Sequence, residues 1–290
     1  MIAFSKLGHY GRLGNQLFQY AFLRITAQRL GTNFFCPSWE GDQLFDLRDG
    51  QIRADAPRGI DAFFDGAPEA GFSPRSLTIA DGTEIQGYFQ SDKYYPDRSQ
   101  VRGWYEFRPE LKAAVEALYP VSRLDRAVSI SLRLDTDYAT TREYFPLYTQ
   151  PYYRKGLELA HADGPVLVFA DRPDLARRFV ATLSGHEFIF IDNLTAHQQL
   201  YLMTLCRANV ITNSTFAWWG GWLNLREDRT VIAPAAWCRP GVPNAIANIV
   251  SDEWLTVRAT VPLWDHFQVW RIRHAGETFG RVLARRRERQ

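Results

Sequence analysis

Three polar clusters in this chain of 290 residues each sit at the end of an apolar, strand-like run, close to the start of a helix-like one. The first is "GRLGNQ", residues 11–16, a few residues beyond "IAFSKL". Gly11 and Gly14 let backbone approach a ligand closely, and the unpaired N–H groups that open the next helix suit an anion. The G-x-G-x-x-G spacing of dinucleotide-binding turns is absent. A plain tight strand-to-helix turn accounts for the same residues.

The second cluster is "SLRLDTDY", residues 131–138. Arg133 ends a buried strand, with Asp135 and Asp137 just beyond it. A guanidinium at that place can fork onto phosphate oxygens or stabilise a departing diphosphate, and an Arg–Asp pair holding the loop is the structural alternative. The third is "ITNSTFAWWGGWLN", residues 211–224. Asn213, Ser214 and Thr215 open an aromatic helix, where hydroxyls and free N–H groups suit phosphate and also suit ordinary capping. Trp218, Trp219 and Trp222 read as packing residues. Gly220 and Gly221 inside that helix cost about 1 kcal/mol each against alanine, which close packing on a neighbour would explain.

The elements that must hold these clusters read most clearly in the second half. "AVSISLRL", "PVLVFA", "HEFIFID", "ANVITNS" and "TVIAP" are strands. "QPYYRKGLELAHA", "PDLARRFVATL", "TAHQQLYLMTLCR" and "TFAWWGGWLN" are helices between them, with Thr195 the N-cap of the third. This alternation predicts a parallel sheet covered on both faces. The first half also opens strand, glycine turn, helix. It then becomes irregular through "WEGDQLFDLRDGQIRADAPRG", offers "EIQGYFQS" as a strand, and ends in the helix "RPELKAAVEALYP". The fold class expected is α/β with two lobes: an N-terminal lobe over 1–122, a Rossmann-like nucleotide-binding lobe over 123–265, and a basic tail over 266–290. Ligands of such sheets bind beyond the carboxyl ends of the strands.

Composition narrows the function classes. Hydrophobic residues make up 46% of the chain, enough to build a sizeable core. No apolar run is long enough to span a membrane, and no signal peptide is evident at the N-terminus. Three cysteines, far apart in sequence, fit free thiols, and no Cys/His spacing suits zinc. The net charge of +2 does not suggest a nucleic-acid partner. Charge is uneven, however: 271–290 carries seven arginines against Glu277 and Glu288, so the rest of the chain is slightly acidic. Phe267, Trp270, Ala275, Phe279 and Val282 can share one helical face there. The tail is expected either to be solvated or to meet anionic lipid or a lipid-linked acceptor, which would place the protein in the cytoplasm, peripheral to the inner face of the membrane.

Taken in order, "GRLGNQLFQYAF", "GYFQSDKYY", "YLMTLCRANVITNSTFAWWGGWLN" and "VIAPAAW" resemble the α-1,2-fucosyltransferases of glycosyltransferase family 11. The resemblance runs from Met1 to about Trp254. It implies a two-lobed, GT-B-like glycosyltransferase that uses GDP-L-fucose, inverts the anomeric carbon and needs no cofactor or metal. Its partners would be the nucleotide sugar and an oligosaccharide or lipid-linked glycan acceptor. It further implies that Arg12, Gly14 and Asn15 face the donor from the first lobe. From the second, Arg133 would meet the β-phosphate, Asn213, Ser214, Thr215 and Phe216 the donor's phosphate region, and Asp171 would fill the acidic position after "PVLVFA". The chain departs from the family pattern at Ser131, where a histidine is usual, at Leu134, where a second arginine follows, at an apparent one-residue insertion before Asp137, and at Gln199 in place of an aspartate. A base for the attacking hydroxyl is expected at Asp137 or Glu143, with Asp135 a further candidate. The same fold using another nucleotide sugar, and a non-catalytic glycan- or nucleotide-binding protein, are the alternatives.

Overall fold

A computed structural model of the chain describes residues 1–66, 70–134, 145–239, 246 and 248–258. Asp135, Asp137 and Glu143, and the whole tail with its aromatic face, lie outside the described residues.

Two parallel sheets organise the chain. The first has the order β2-β1-β4-β3, from β1 (Ile2–Ala3), β2 (Phe34–Phe35), β3 (Ala62–Asp65) and β4 (Thr83–Gln86). The second has the order β10-β9-β8-β5-β6-β7, from β5 (Val128–Leu132), β6 (Val166–Ala170), β7 (Phe188–Phe190), β8 (Ala208–Val210), β9 (Thr230–Pro234) and β10 (Leu255–Val257). All its pairings are parallel. Strand order reverses between β5 and β8, the Rossmann arrangement, so a crevice opens beyond the carboxyl ends of those two strands. β5 is buried along its whole length, as expected of a central strand covered on both faces.

The helices of the first lobe are α1 (Leu13–Leu30), the single turn α2 (Gly41–Leu44), α3 (Arg98–Trp104) and α4 (Pro109–Leu118). Those of the second are α5 (Gln150–Leu159), α6 (Pro173–Val180), α7 (Ala196–Leu205) and α8 (Thr215–Trp222). α7 starts with the expected cap: Thr195 and Gln198 bond reciprocally as a capping box.

The larger hydrophobic core runs through both lobes, and a second lies within the C-terminal lobe around β5 and β6. The centre of the larger is the contact of α1 with α8, where Phe18 packs on Trp218 and Trp219 at ring-centroid distances of 4.5 and 4.8 Å. The three tryptophans of α8 are buried and each indole N–H is spent: on Ile249 O, on Gly14 O and on Asp92 Oδ2. They are packing residues, as the sequence suggested. Gly220 and Gly221 are there because Met203 and Val231 press on them: an added Cβ would lie 2.7 and 2.9 Å from those side chains.

Several strands stop earlier than the sequence predicted, and two of these early ends shape the site. "EIQGYFQS" ends as a strand at Gln86, because Gly87 and Phe89 take positive φ values of 156° and 51° and turn the chain out of the sheet. "ANVITNS" ends at Val210. In both cases some of the residues released from the ladder, Tyr88 and Gln90 in the first and Asn213 and Ser214 in the second, line the cavity described next.

Candidate functional site

Between the lobes lies a cavity of about 800 Å³. The first lobe contributes Arg12, Gly14, Asn15, Glu40, Tyr88 and Gln90, and the second Ser131, Arg133, Asp171 and the 213–216 turn. The carboxyl ends of the two central strand pairs, β1/β4 and β5/β8, therefore open onto one space. Of the residues singled out from the sequence, Arg12, Gly14, Asn15, Arg133, Asp171, Asn213, Ser214, Thr215 and Phe216 line it, whereas Gly11 does not.

The first-lobe turn is built around its backbone. Gly11 has φ of 96°, a conformation side chains rarely adopt. Arg12 holds the N-cap position of α1 without a side-chain cap bond, and it is an exposed residue on the cavity wall. Gly14 lines the cavity and also lies against the opposite lobe. A Cβ there would sit 2.5 Å from Phe216 N and 2.6 Å from Thr215 Oγ1, and Gly14 O accepts from Trp219. Its lack of a side chain seats α1 on the N-terminus of α8. Asn15 Oδ1 accepts from Gln90 Nε2 at 2.8 Å, which fixes two amides on the cavity wall. Tyr88 stacks on Tyr10 at 4.7 Å and 18°. Burial, and then the neighbouring Tyr88, push the Tyr10 hydroxyl up to about 12, so it stays protonated at neutral pH.

On the second lobe, Arg133 follows the last residue of β5. Its Nε lies 3.7 Å from Asp171 Oδ2. Asp171, at the end of neighbouring β6, also accepts the Leu134 N–H at 2.7 Å. The aspartate thus anchors the arginine and its loop, and reaches the cavity as a positioning group. Ser131, where the family pattern has histidine, accepts the Thr212 N–H with its Oγ at 3.2 Å, so it ties the end of β5 to the turn after β8.

Asn213 likewise builds the site: its amide donates to Pro146 O and Trp237 O at 3.0 and 3.1 Å. Ser214 occupies the N-cap of α8 in extended conformation, yet its side chain makes no cap bond. The positive end of α8 and the hydroxyls of Ser214 and Thr215 therefore meet the cavity together with Arg133. Such a set of donors suits a phosphate or diphosphate. Among the described residues, no group of three His, Cys, Asp or Glu side chains is placed to hold a metal ion, and no helix is long and apolar enough to cross a membrane.

Sequence reasoning missed Glu40, Tyr88 and Gln90. Glu40 lay in a stretch read as irregular, although it immediately precedes α2. Tyr88 and Gln90 were hidden in an expected strand.

Residues 150–258 match the family model described as Glycosyl transferase family 11. The resemblance to that family, read first from sequence motifs, is shown over this part of the chain. The O-antigen biosynthesis glycosyltransferase WbnK of Escherichia coli is 28% identical over 199 residues, covering 62% of this chain and 63% of WbnK. An alpha-1,2-colitosyltransferase of Escherichia coli is 24% identical over 162 residues, covering 53% of this chain and 56% of that protein. The match thus spans less than two thirds of either relative. Among solved structures, POFUT1 in complex with GDP-fucose shares the fold with a TM-score of 0.52 and 12% identity, over 80% of this chain and 96% of that one. POFUT1 in complex with GDP gives 0.51 and 13%, over 80% and 97%. The two-lobed, GT-B-like α/β architecture expected from the sequence is the one observed.

Proposed function

We propose that this chain is an inverting glycosyltransferase that moves L-fucose from GDP-L-fucose to a galactose hydroxyl of a glycan, forming an α-1,2 linkage. The observation that carries the reading is the meeting of Arg133 with the N-terminus of α8 beyond the carboxyl ends of β5 and β8, in a cavity closed on its other side by the "GRLGNQ" turn. The family match and the fold shared with POFUT1, whose solved structure holds GDP-fucose, support it.

In this reaction the acceptor oxygen bonds to the anomeric carbon as the bond from that carbon to the β-phosphate oxygen breaks. The electron pair leaves with GDP. Negative charge grows on the β-phosphate, and Arg133, Arg12 and the α8 N-terminus are the groups that meet it. Preorganised donors of this kind contribute roughly 10²–10³ each to the rate. Asp171 and Asn213 hold the arginine and the turn in place. The aromatic face of Tyr88 on the first lobe gives an acceptor sugar ring a surface to lie against.

A second reading keeps the fold and changes the donor. Ser131 stands where the family pattern has histidine, and its hydroxyl is engaged with Thr212. A different nucleotide or sugar would then be selected. Titration calorimetry with GDP, UDP and GDP-fucose separates the two readings, and release of GDP only in the presence of acceptor separates an enzyme from a binding protein. Galactosyl acceptors, with product linkage read by NMR, identify the bond formed. The basic tail would bring the site to a lipid-linked acceptor at the inner face of the membrane. Equal liposome co-sedimentation by the full chain and by a form lacking 281–290 would remove that part.

A further inference from the structure

The displacement proposed above releases a proton from the acceptor hydroxyl, and a base on the cavity wall has to take it; the inference rests on that reading of the reaction. Among the described residues two carboxylates line the cavity, Asp171 and Glu40. Asp171 is committed to the Leu134 N–H and to aiming Arg133, whose Nε lies 3.7 Å from its Oδ2.

Glu40 is held differently. It precedes α2 on the first lobe, opposite the phosphate-side residues. Its Oε1 accepts from Gln16 Nε2 at 3.0 Å. That nitrogen also lies 3.0 Å from Gly11 O, so the buried Gln16 couples the carboxylate to the glycine turn. Its Oε2 lies 3.3 Å from His197 Nε2, at the first turn of α7 on the other lobe. The carboxylate is therefore oriented from both lobes. Its side chain is 45% exposed, and each oxygen has a further lone pair beyond the contact it already makes.

We propose that Glu40 is the general base of the transfer. The acceptor O–H proton passes to a Glu40 oxygen as the acceptor oxygen bonds to the anomeric carbon and GDP departs with the electron pair of the broken bond. Gln16 and His197 are positioning residues that keep the carboxylate turned toward the acceptor.

Glu40→Gln tests this, because it keeps the shape and an oxygen for Gln16 while removing the base. The expected result is an unchanged melting temperature and unchanged GDP affinity, with transfer to a sugar acceptor lowered by about 10²–10⁴. Azide is an anionic nucleophile that has no proton to lose. Added to the variant, it should restore GDP release from GDP-fucose. Loss of a merely structural contact would show no such rescue. If Glu40→Gln fails to fold, Glu40→Asp, which keeps a carboxylate one methylene shorter, is expected to fold, turn over slowly and gain GDP release from azide. Near-wild-type transfer by folded Glu40→Gln overturns the assignment. So does a defect that azide leaves unchanged, or azide rescue found in Asp137→Asn or Glu143→Gln instead. A wild-type protein that turns over no GDP-fucose with any acceptor defeats the transferase reading and the assignment together.

Discussion

Arg133 is placed to do what a lysine cannot. Its planar guanidinium offers several donors in a fixed fork, and Asp171 on the next strand aims it. Arg133→Lys keeps one charge and loses the fork. The expected outcome is a melting temperature near that of the wild type and a kcat lowered by about 10²–10³ in a fucose-transfer assay. Asp171→Asn keeps an oxygen for the Leu134 N–H but removes the charge that orients the arginine. Turnover is expected to fall by about tenfold, the worth of one charged hydrogen bond, with GDP-dependent thermal stabilisation reduced in parallel. That Arg133 and Asn213 to Thr215 would line a cavity could be read from polar types at strand ends, which stand out against apolar runs, whereas Arg12, Asn15 and Phe216 were reached only through the family resemblance. Their division of labour was not legible. Nothing in the sequence separates Asn213, whose amide is used on two carbonyls, from Ser214, whose hydroxyl is left to the cavity. Partner choice is a matter of tertiary distance, and it decides which polar groups remain for a ligand.

Two glycines in helices illustrate the element scale. Gly14 in α1 faces the backbone of α8, which cannot move aside without unseating the helix pair. Gly14→Ala is expected to lower unfolding free energy by about 1–3 kcal/mol in urea titrations, the usual cost of overpacking. Gly103 in α3 has open space around the position of a Cβ. Gly103→Ala is expected to raise stability by about 0.5–1 kcal/mol, the gain in helix propensity and in lost unfolded-chain freedom. Opposite signs from the same substitution would separate packing from backbone entropy. Periodicity and caps made most strands and helices of the second half readable, including the cap at Thr195, though not its partner Gln198 or the edge strand β10. Strand ends were less so. Gly87 and Phe89 break β4 through backbone conformation, and in "EIQGYFQS" the glycine is a weak signal of it that the apolar alternation on either side conceals. The contact of α1 with α8 was also hidden: both helices are buried on most sides and neither gathers its apolar residues on one face, so neither names its partner.

At the scale of the molecule, two parallel sheets point their central strand ends at one cavity, and a shared core fixes the lobes around it. The strand alternation announced the Rossmann-like lobe, whereas the first lobe's irregular connections obscured a sheet of four short strands. In the reaction proposed for this cavity, charge on the leaving diphosphate is met by arginines and a helix terminus. Transfer activity is therefore expected to be unchanged in EDTA, and a strict divalent-cation requirement restored by re-addition would contradict that charge scheme.

The central claim is that the cavity grips a nucleoside diphosphate through Arg133 and the start of α8. Calorimetric titration of GDP into the wild-type protein and into folded Arg133→Ala tests it most directly. The account predicts saturable, one-site binding by the wild type, weakened in the variant by about 1.5–3 kcal/mol, the contribution of a hydrogen bond to a charged group. Equal affinity in the two proteins, or no GDP binding by the wild type, would contradict it.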